Sequence, residues 1–300
     1  MELRQLSERV FVLEGSTNIG IIRGNQGQAL IIDTGLDEST ARKIWRHCQE
    51  MKVIPAVIFT THAHADHFGG NAFLVKRSGA RVLASPEEGH TLAMPLLEPL
   101  GLYGGVMPPA NLRNKFLLAQ PSPVDGLLQP GRQEIAEVEG EVVPLPGHAP
   151  GQMGLAIDGI LFTADAFFPQ EVLDKHKIPF LLDLRQTVAT LEGLKEAGWQ
   201  IYIPGHGKIV DRDQIGAELD YNLERLTQIK DLIRKSLGGP RTAEDVLVEL
   251  LEHYQLAAEA PSLYHLDLAA VKAFLTSLTD TGEVEMRVRQ NRLYWQRKDL

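Results

Sequence analysis

Three histidines and an aspartate fall within the six residues 62–67 of the segment Thr60-Thr61-His62-Ala63-His64-Ala65-Asp66-His67-Phe68-Gly69-Gly70, directly after the apolar run Ala56-Val57-Ile58-Phe59. No other stretch limits the fold so strongly. Each polar group buried without a partner costs about 1–3 kcal/mol, so four within six residues at the end of a core strand imply something for them to bind. In an extended segment residues two apart share a face, which aims His62 and His64 at one ion, while Asp66 and His67 turn towards a second. Phe68-Gly69-Gly70-Asn71 reads as a tight bend opening a helix, with the glycines supplying backbone freedom. Imidazole and carboxylate donors suit zinc or another first-row divalent metal. Cys48 is the one cysteine, which excludes an internal disulfide and a cysteine-built zinc site. Its place in the helical pattern 41–48 makes it a small packed thiol.

The flanking patterns give the scaffold. Apolar segments at 10–13, 19–22 and 29–32, separated by Gly and Asn, predict an antiparallel meander, followed by an amphipathic helix over 38–51 and a short buried strand over 56–60. A second set of strands is expected at 133–138, 141–145, 153–157 and 160–163, then a helix over 184–197 and a strand at 201–203. Two β-rich halves, each with helices, predict an α+β protein in which two sheets pack face to face with helices outside, a four-layer αββα sandwich. Residues 91–130 are rich in Pro, Gly and Leu without sustained periodicity and read as a lid inserted between the halves.

After a long helix over 212–236, Gly238-Gly239-Pro240 marks a break. Helices at 243–254 and 266–278 and a hairpin over 284–295, turning at Gln290-Asn291, follow it and suggest a small winged-helix-like domain. The chain therefore divides into 1–237 and 238–300. With 300 residues and 44% hydrophobic content it buries a sizeable core, and its net charge of −9 argues against broad binding of nucleic acid. The first residues, Met1 to Arg9, lack the apolar run of a secretory leader, and no segment has the length of a membrane span, so a cytoplasmic protein without a membrane partner is expected.

In motif order and spacing over about residues 10–210, these residues resemble the metallo-β-lactamase superfamily. The resemblance implies that His148, in Pro146-Gly147-His148-Ala149-Pro150-Gly151, completes the first ion's ligands with His62 and His64. It implies that Asp165, in Phe162-Thr163-Ala164-Asp165-Ala166, bridges two ions, and that His206, in Pro204-Gly205-His206-Gly207, joins Asp66 and His67 at the second. Asp33, in Ile31-Ile32-Asp33-Thr34-Gly35, is implied to support the site from behind. The implied cofactor is a pair of divalent ions, zinc first, with manganese or iron as alternatives. Hydrolysis is the natural reaction, since a bound metal lowers the pKa of water from about 16 to roughly 7. Asp66 would both hold metal and orient or deprotonate the water.

Three readings of the activity stay open. The apolar lid residues Leu96, Leu97, Leu100, Tyr103, Met107 and Phe116 favour a small-molecule ester, thioester or lactone. Members that hydrolyse hydroxyacyl-glutathione carry a histidine where this chain has Gln152. The tail instead resembles the metallo-β-lactamase-like protein 2 group, which includes an endoribonuclease. In that reading Arg287, Arg289, Arg292, Arg297 and Lys298, around Tyr294 and Trp295 and diluted by Glu283, Glu285 and Asp299, would meet single-stranded RNA. The persulfide dioxygenases of the same superfamily imply a third reading, with one iron.

Overall fold

The computed structural model describes residues 1–298, so Asp299 lies outside the described residues. Strands β1 (Glu2–Gln5), β2 (Val10–Glu14), β3 (Ile19–Arg23), β4 (Gln28–Ile32), β5 (Ile54–Phe59), β6 (Arg81–Ala84) and β7 (Gly126–Leu127) form one sheet in sequential order. A second sheet runs β13-β12-β11-β10-β9-β8, from β8 (Gly131–Ile135), β9 (Val138–Pro144), β10 (Met153–Ile157), β11 (Ile160–Ala164), β12 (Ile201–Pro204) and β13 (Val210–Asp211). The expected strands are present. The edge strands β1, β7 and β13 and the interior strand β6 were not legible, being short and only partly apolar.

Alternation along the strands explains the layering. In β2, Val10 and Val12 face the second sheet, where they meet Leu155, Ile157 and Phe162, while Phe11 and Leu13 face outward. The outward face is covered by α1 (Glu38–Glu50) and α3 (Asn71–Ser78), through Ala41, Ile44, Cys48 and Leu74. The outer face of the second sheet, with Leu161 and Tyr202, is covered by α7 (Leu184–Glu196) and α8 (Ile215–Ser236). The result is the αββα sandwich. Each large apolar side chain withdrawn from water here contributes about 1.5–3 kcal/mol.

The same core continues into α9 (Ala243–Tyr254), α10 (Pro261–Asp280) and the hairpin β14 (Val284–Arg289)–β15 (Arg292–Arg297). A capping box between Thr242 and Asp245 starts α9. The hairpin turns at Gln290-Asn291, both at positive φ, as a tight two-residue loop requires. Trp295 is only 8% exposed and packs into this core, so it offers no face for a nucleic-acid base.

Two expectations are corrected. Residues 91–130 are more regular than their composition suggests. They hold α5 (Leu97–Leu102) and a 3-10 turn (Ala110–Leu112), both against α10, and they end in β7, which extends the first sheet. The segment begins within the last turn of α4 (Pro86–Ala93), and the second half of the sandwich contains the further short helix α6 (Gln170–His176). Gly69 and Gly70 are not a flexible bend: they follow the single-turn helix α2 (Ala65–Phe68) with ordinary helical angles, φ −57° and −89°. A Cβ on Gly69 would lie 1.9 Å from the Leu36 carbonyl oxygen, so glycine is needed there for close packing.

Strands β4 and β5 run parallel, as do β11 and β12, and β9 points the same way as β11 because both are antiparallel to β10. Their C-terminal ends therefore meet along one edge of the sandwich, which carries Asp33, the His62–His67 segment, His148, Asp165 and His206. Cross-sheet hydrogen bonds close this edge: Asn18 N donates to Gly205 O at 2.8 Å, and Met153 N to Thr61 O at 3.0 Å.

Candidate metal centre

The structure brings the seven residues named as metal ligands, with Asp33 behind them, into one cluster. His62, His64 and His148 place one donor atom each within 4.8 Å of one another, as do Asp66, His67 and His206, and a third such group joins His62 and His67 to Asp165. Asp165 lies between the two sets, its Oδ1 3.4 Å from His67 Nε2 and its Oδ2 3.5 Å from His148 Nε2 and 3.4 Å from His206 Nε2. Asp66 Oδ2 is 3.3 Å from His206 Nε2.

Four of the imidazoles are oriented by a bond on the ring nitrogen that faces away. His67 Nδ1 donates to Asp33 Oδ2 at 2.8 Å, His148 Nδ1 to Phe180 O at 3.0 Å, and His206 Nδ1 to Ser16 O at 2.5 Å. The Thr61 hydroxyl donates to Asp33 Oδ2 at 2.8 Å and accepts from His62 Nδ1 at 3.1 Å. These acceptors select the tautomer whose Nε2 presents a lone pair to the centre, as outer hydrogen bonds do for metal-ligating histidines. Asp33 thus touches both ligand sets, directly through His67 and through Thr61 to His62. It also accepts the Thr61 amide at 2.9 Å.

Whether the residues fit a metal pair is answered by what they leave unpaired. Buried His62 Nε2, His67 Nε2 and Asp165 Oδ1 have no hydrogen-bond partner, an expensive state for donors that converge on one space and a satisfied one if a cation lies among them. The electrostatics agree. Burial, reinforced by neighbouring imidazoles, lowers His62 well below the usual histidine range, and burial lowers His64 to about 3 and also lowers His148, so this set is neutral as ligation needs. Burial would lower His67 too, but Asp165, Asp66 and Asp33 outweigh it and hold that ring at about 10. Burial would raise Asp66 and Asp165, yet the surrounding histidines depress both. Three carboxylates converging here, Asp33 and Asp165 buried and Asp66 partly exposed, demand positive charge. Divalent ions held by these residues would supply it in place of protons.

Sequence reasoning missed the walls. The Phe168 ring lies stacked 6.5 Å from His206, and Phe180 sits edge-on to His64 and His148 at 5.4 and 5.5 Å. A cavity of about 270 Å³ opens beside His64, between α5 and α10, lined by Leu97, Leu102, Phe180, Leu182 and Leu268, with Glu98, His265 and Lys272 as polar groups. Burial, reinforced by Asp66 and Glu88, pushes the Glu98 carboxyl well above the usual range. Gln152, in the place of the histidine discussed above, is buried and donates its amide to Leu145 O at 3.1 Å.

A His/Asp cluster at the open edge of a two-sheet αββα sandwich defines a class of metal-binding proteins. The model of the metallo-beta-lactamase superfamily matches residues 12–206, and the chain belongs to that superfamily. A metallo-beta-lactamase family protein from Thermus thermophilus superposes with a TM-score of 0.72 at 21% identity, covering 96% of this chain and 94% of that one. A beta-lactamase domain protein from Burkholderia ambifaria gives 0.73 at 17% identity, covering 99% and 94%. These two likenesses bear on the fold. Among curated proteins, a hydroxyacylglutathione hydrolase of Xanthomonas euvesicatoria pv. vesicatoria is 27% identical over 169 residues, 56% of this chain and 53% of the relative. One from Anaeromyxobacter dehalogenans is 31% identical over 156 residues, 51% and 48% of the two chains. The chain spans about half the length of the curated relatives it matches. No helix among the described residues is long and apolar enough to cross a membrane.

Proposed function

We propose that this protein is a hydrolase using two divalent ions, zinc first, to cleave a small ester, thioester or lactone. The observation that carries the reading is the cavity of about 270 Å³ that opens directly on His64, with mainly apolar walls and a few polar groups, suited to one compact acyl group. His62, His64 and His148 would hold one ion, Asp66, His67 and His206 the other, and Asp165 would lie between them. When bound, such ions lower the pKa of water from about 16 to roughly 7 and polarise the carbonyl under attack. Asp33 and Asp165 are buried, whereas the Asp66 side chain is 37% exposed, which makes it the carboxylate able to receive a water molecule and orient its proton. Phe168 and Phe180 exclude bulk water around the reacting atoms. Hydroxyacylglutathione hydrolases, the curated relatives, act on a thioester, which supports this substrate class. The buried Trp295 removes one of the two aromatics on which an RNA reading relied.

Elemental analysis of the purified protein beside His64→Ala, followed by assay on thioesters, lactones and single-stranded RNA, tests the reading. About two zinc or manganese ions per chain, fewer in the variant, with turnover of a small acyl substrate, is the expected result. One iron with oxygen uptake would move the protein to persulfide oxidation, and no retained metal after reconstitution would overturn the proposal.

A further inference from the structure

Glu88 lies outside the ligand set, yet it is wired to both loops that carry the His62/His64/His148 group. Its Oε2 accepts from Ala63 N at 2.9 Å and its Oε1 from Gly151 N at 2.8 Å. Ala63 stands between His62 and His64, and Gly151 lies three residues after His148 in the second loop. The side chain is 5% exposed, so water does not compete for these amides. Helix α4 holds it in place: Ser85 Oγ caps the helix by accepting Glu88 N at 3.2 Å, Pro86 occupies the first turn, and the helix N-terminus favours a carboxylate. The second loop closes tightly on this turn, since a Cβ on Gly151 would lie 2.4 Å from Ser85 Oγ and 2.8 Å from Glu87 Cβ.

Beyond the ligands' own contact, His148 Nε2 to His64 Nδ1 at 2.8 Å, the two loops are also tied by the Met153 N to Thr61 O bond. We propose that Glu88 is a positioning residue that clamps the His62–His64 segment to the His148–Gly151 loop and so sets metal affinity at that group alone. The other group has anchors of its own besides the shared Asp33. Thr17 Oγ1 donates to Asp66 O, Thr34 N to His67 O, and His206 rests on Ser16 O, with no bond to Glu88. A carboxylate fits the role because both its oxygens accept, and two N–H donors approach it from different loops. Ligand placement matters at the scale of 1 Å or less, so loosening the clamp should be read directly in binding.

The inference rests on the two-ion reading, and the experiment separates the two. Zinc affinity is measured by chelator competition in His206→Ala, which keeps the first group whole, and in His64→Ala, which keeps the second. Adding Glu88→Gln, nearly isosteric but presenting an N–H to one of the amides, is expected to weaken zinc binding at least tenfold in the His206→Ala background and less than twofold in the His64→Ala background. Glu88→Asp, too short to span both amides, should also weaken the first group, and exposed Glu87→Gln should change neither. Equal losses in both backgrounds, no loss in either, or wild-type affinity in Glu88→Asp would overturn the clamp while zinc binding by the parent protein left the two-ion reading standing. Absence of zinc binding by the parent protein would overturn both.

Discussion

The carboxylate oxygen Asp33 Oδ2 lies 2.8 Å from His67 Nδ1, and the pair is buried at the centre of the edge where the two sheets open. The bond fixes the tautomer that turns Nε2 towards Asp165. Asp33 sits at φ +59°, a conformation asparagine also tolerates, so Asp33→Asn preserves the backbone while removing the charge behind the imidazole. Loss of such a supporting partner costs about 10–100-fold in metal affinity. Calorimetric zinc titration should show that loss at the group containing His67. Unchanged affinity would mean that the carboxylate serves the fold and not the ligands.

How much of this could be read from the chain differs between residues. His62, His64, Asp66 and His67 were legible because strand periodicity converts their spacing into a common direction. His148, Asp165 and His206 lie 84, 101 and 142 residues beyond His64, and nothing local joins them; only the pattern of a family did. Glu88 was illegible because its role is to receive two backbone amides from other loops, and its own surroundings, Ser85-Pro86-Glu87-Glu88, look like an ordinary helix start. The Ser16 and Phe180 carbonyls are backbone groups, and backbone groups carry no sequence signal. Gly69 and Gly70 were misread for a related reason: a glycine required by a neighbour's approach looks the same in sequence as one required by a turn.

The cavity makes a prediction about size. Ala269 projects from α10 into the space beside His64. Ala269→Phe should therefore leave the metal content intact and lower kcat/KM for larger acyl substrates at least tenfold, with a smaller effect on acetyl esters. A uniform loss across acyl sizes would place the substrate elsewhere.

The hairpin offers a test of packing. Trp295 is buried against the helices of the tail, and its backbone N and O pair with Arg241 O and N at 2.8 and 2.9 Å. Trp295→Ala should destabilise the protein by about 3–5 kcal/mol, as for other buried aromatics. Urea unfolding measures this. A variant of unchanged stability with weakened RNA retention would restore the nucleic-acid reading.

Cys48 is fully buried on the inner face of α1, and burial pushes its thiol up to about 12. The thiolate is the reactive form, so the native protein should not react with a disulfide reagent at pH 8. One equivalent should react after denaturation. Native-state labelling at a comparable rate would show that α1 opens readily.

Asp267, half-buried on α10, has its carboxyl raised to about 6 by burial. A raised carboxyl pKa means that the folded state binds a proton more tightly than the unfolded chain. This contribution to stability is therefore fully present below about pH 4 and is lost as the pH rises through about 6. Above that range the buried charge opposes folding, by about 1 kcal/mol once partial exposure is allowed for. Asp267→Asn is neutral at every pH, so relative to the parent protein its melting temperature should rise by roughly 2 °C at pH 7.5 and by nothing at pH 4. Metal-linked titration of the histidine cluster is common to both proteins and cancels in the difference. A pH-independent offset between them would show that the substitution acts through packing, and a lower melting temperature at pH 7.5 would show that the carboxylate is stabilised by a partner.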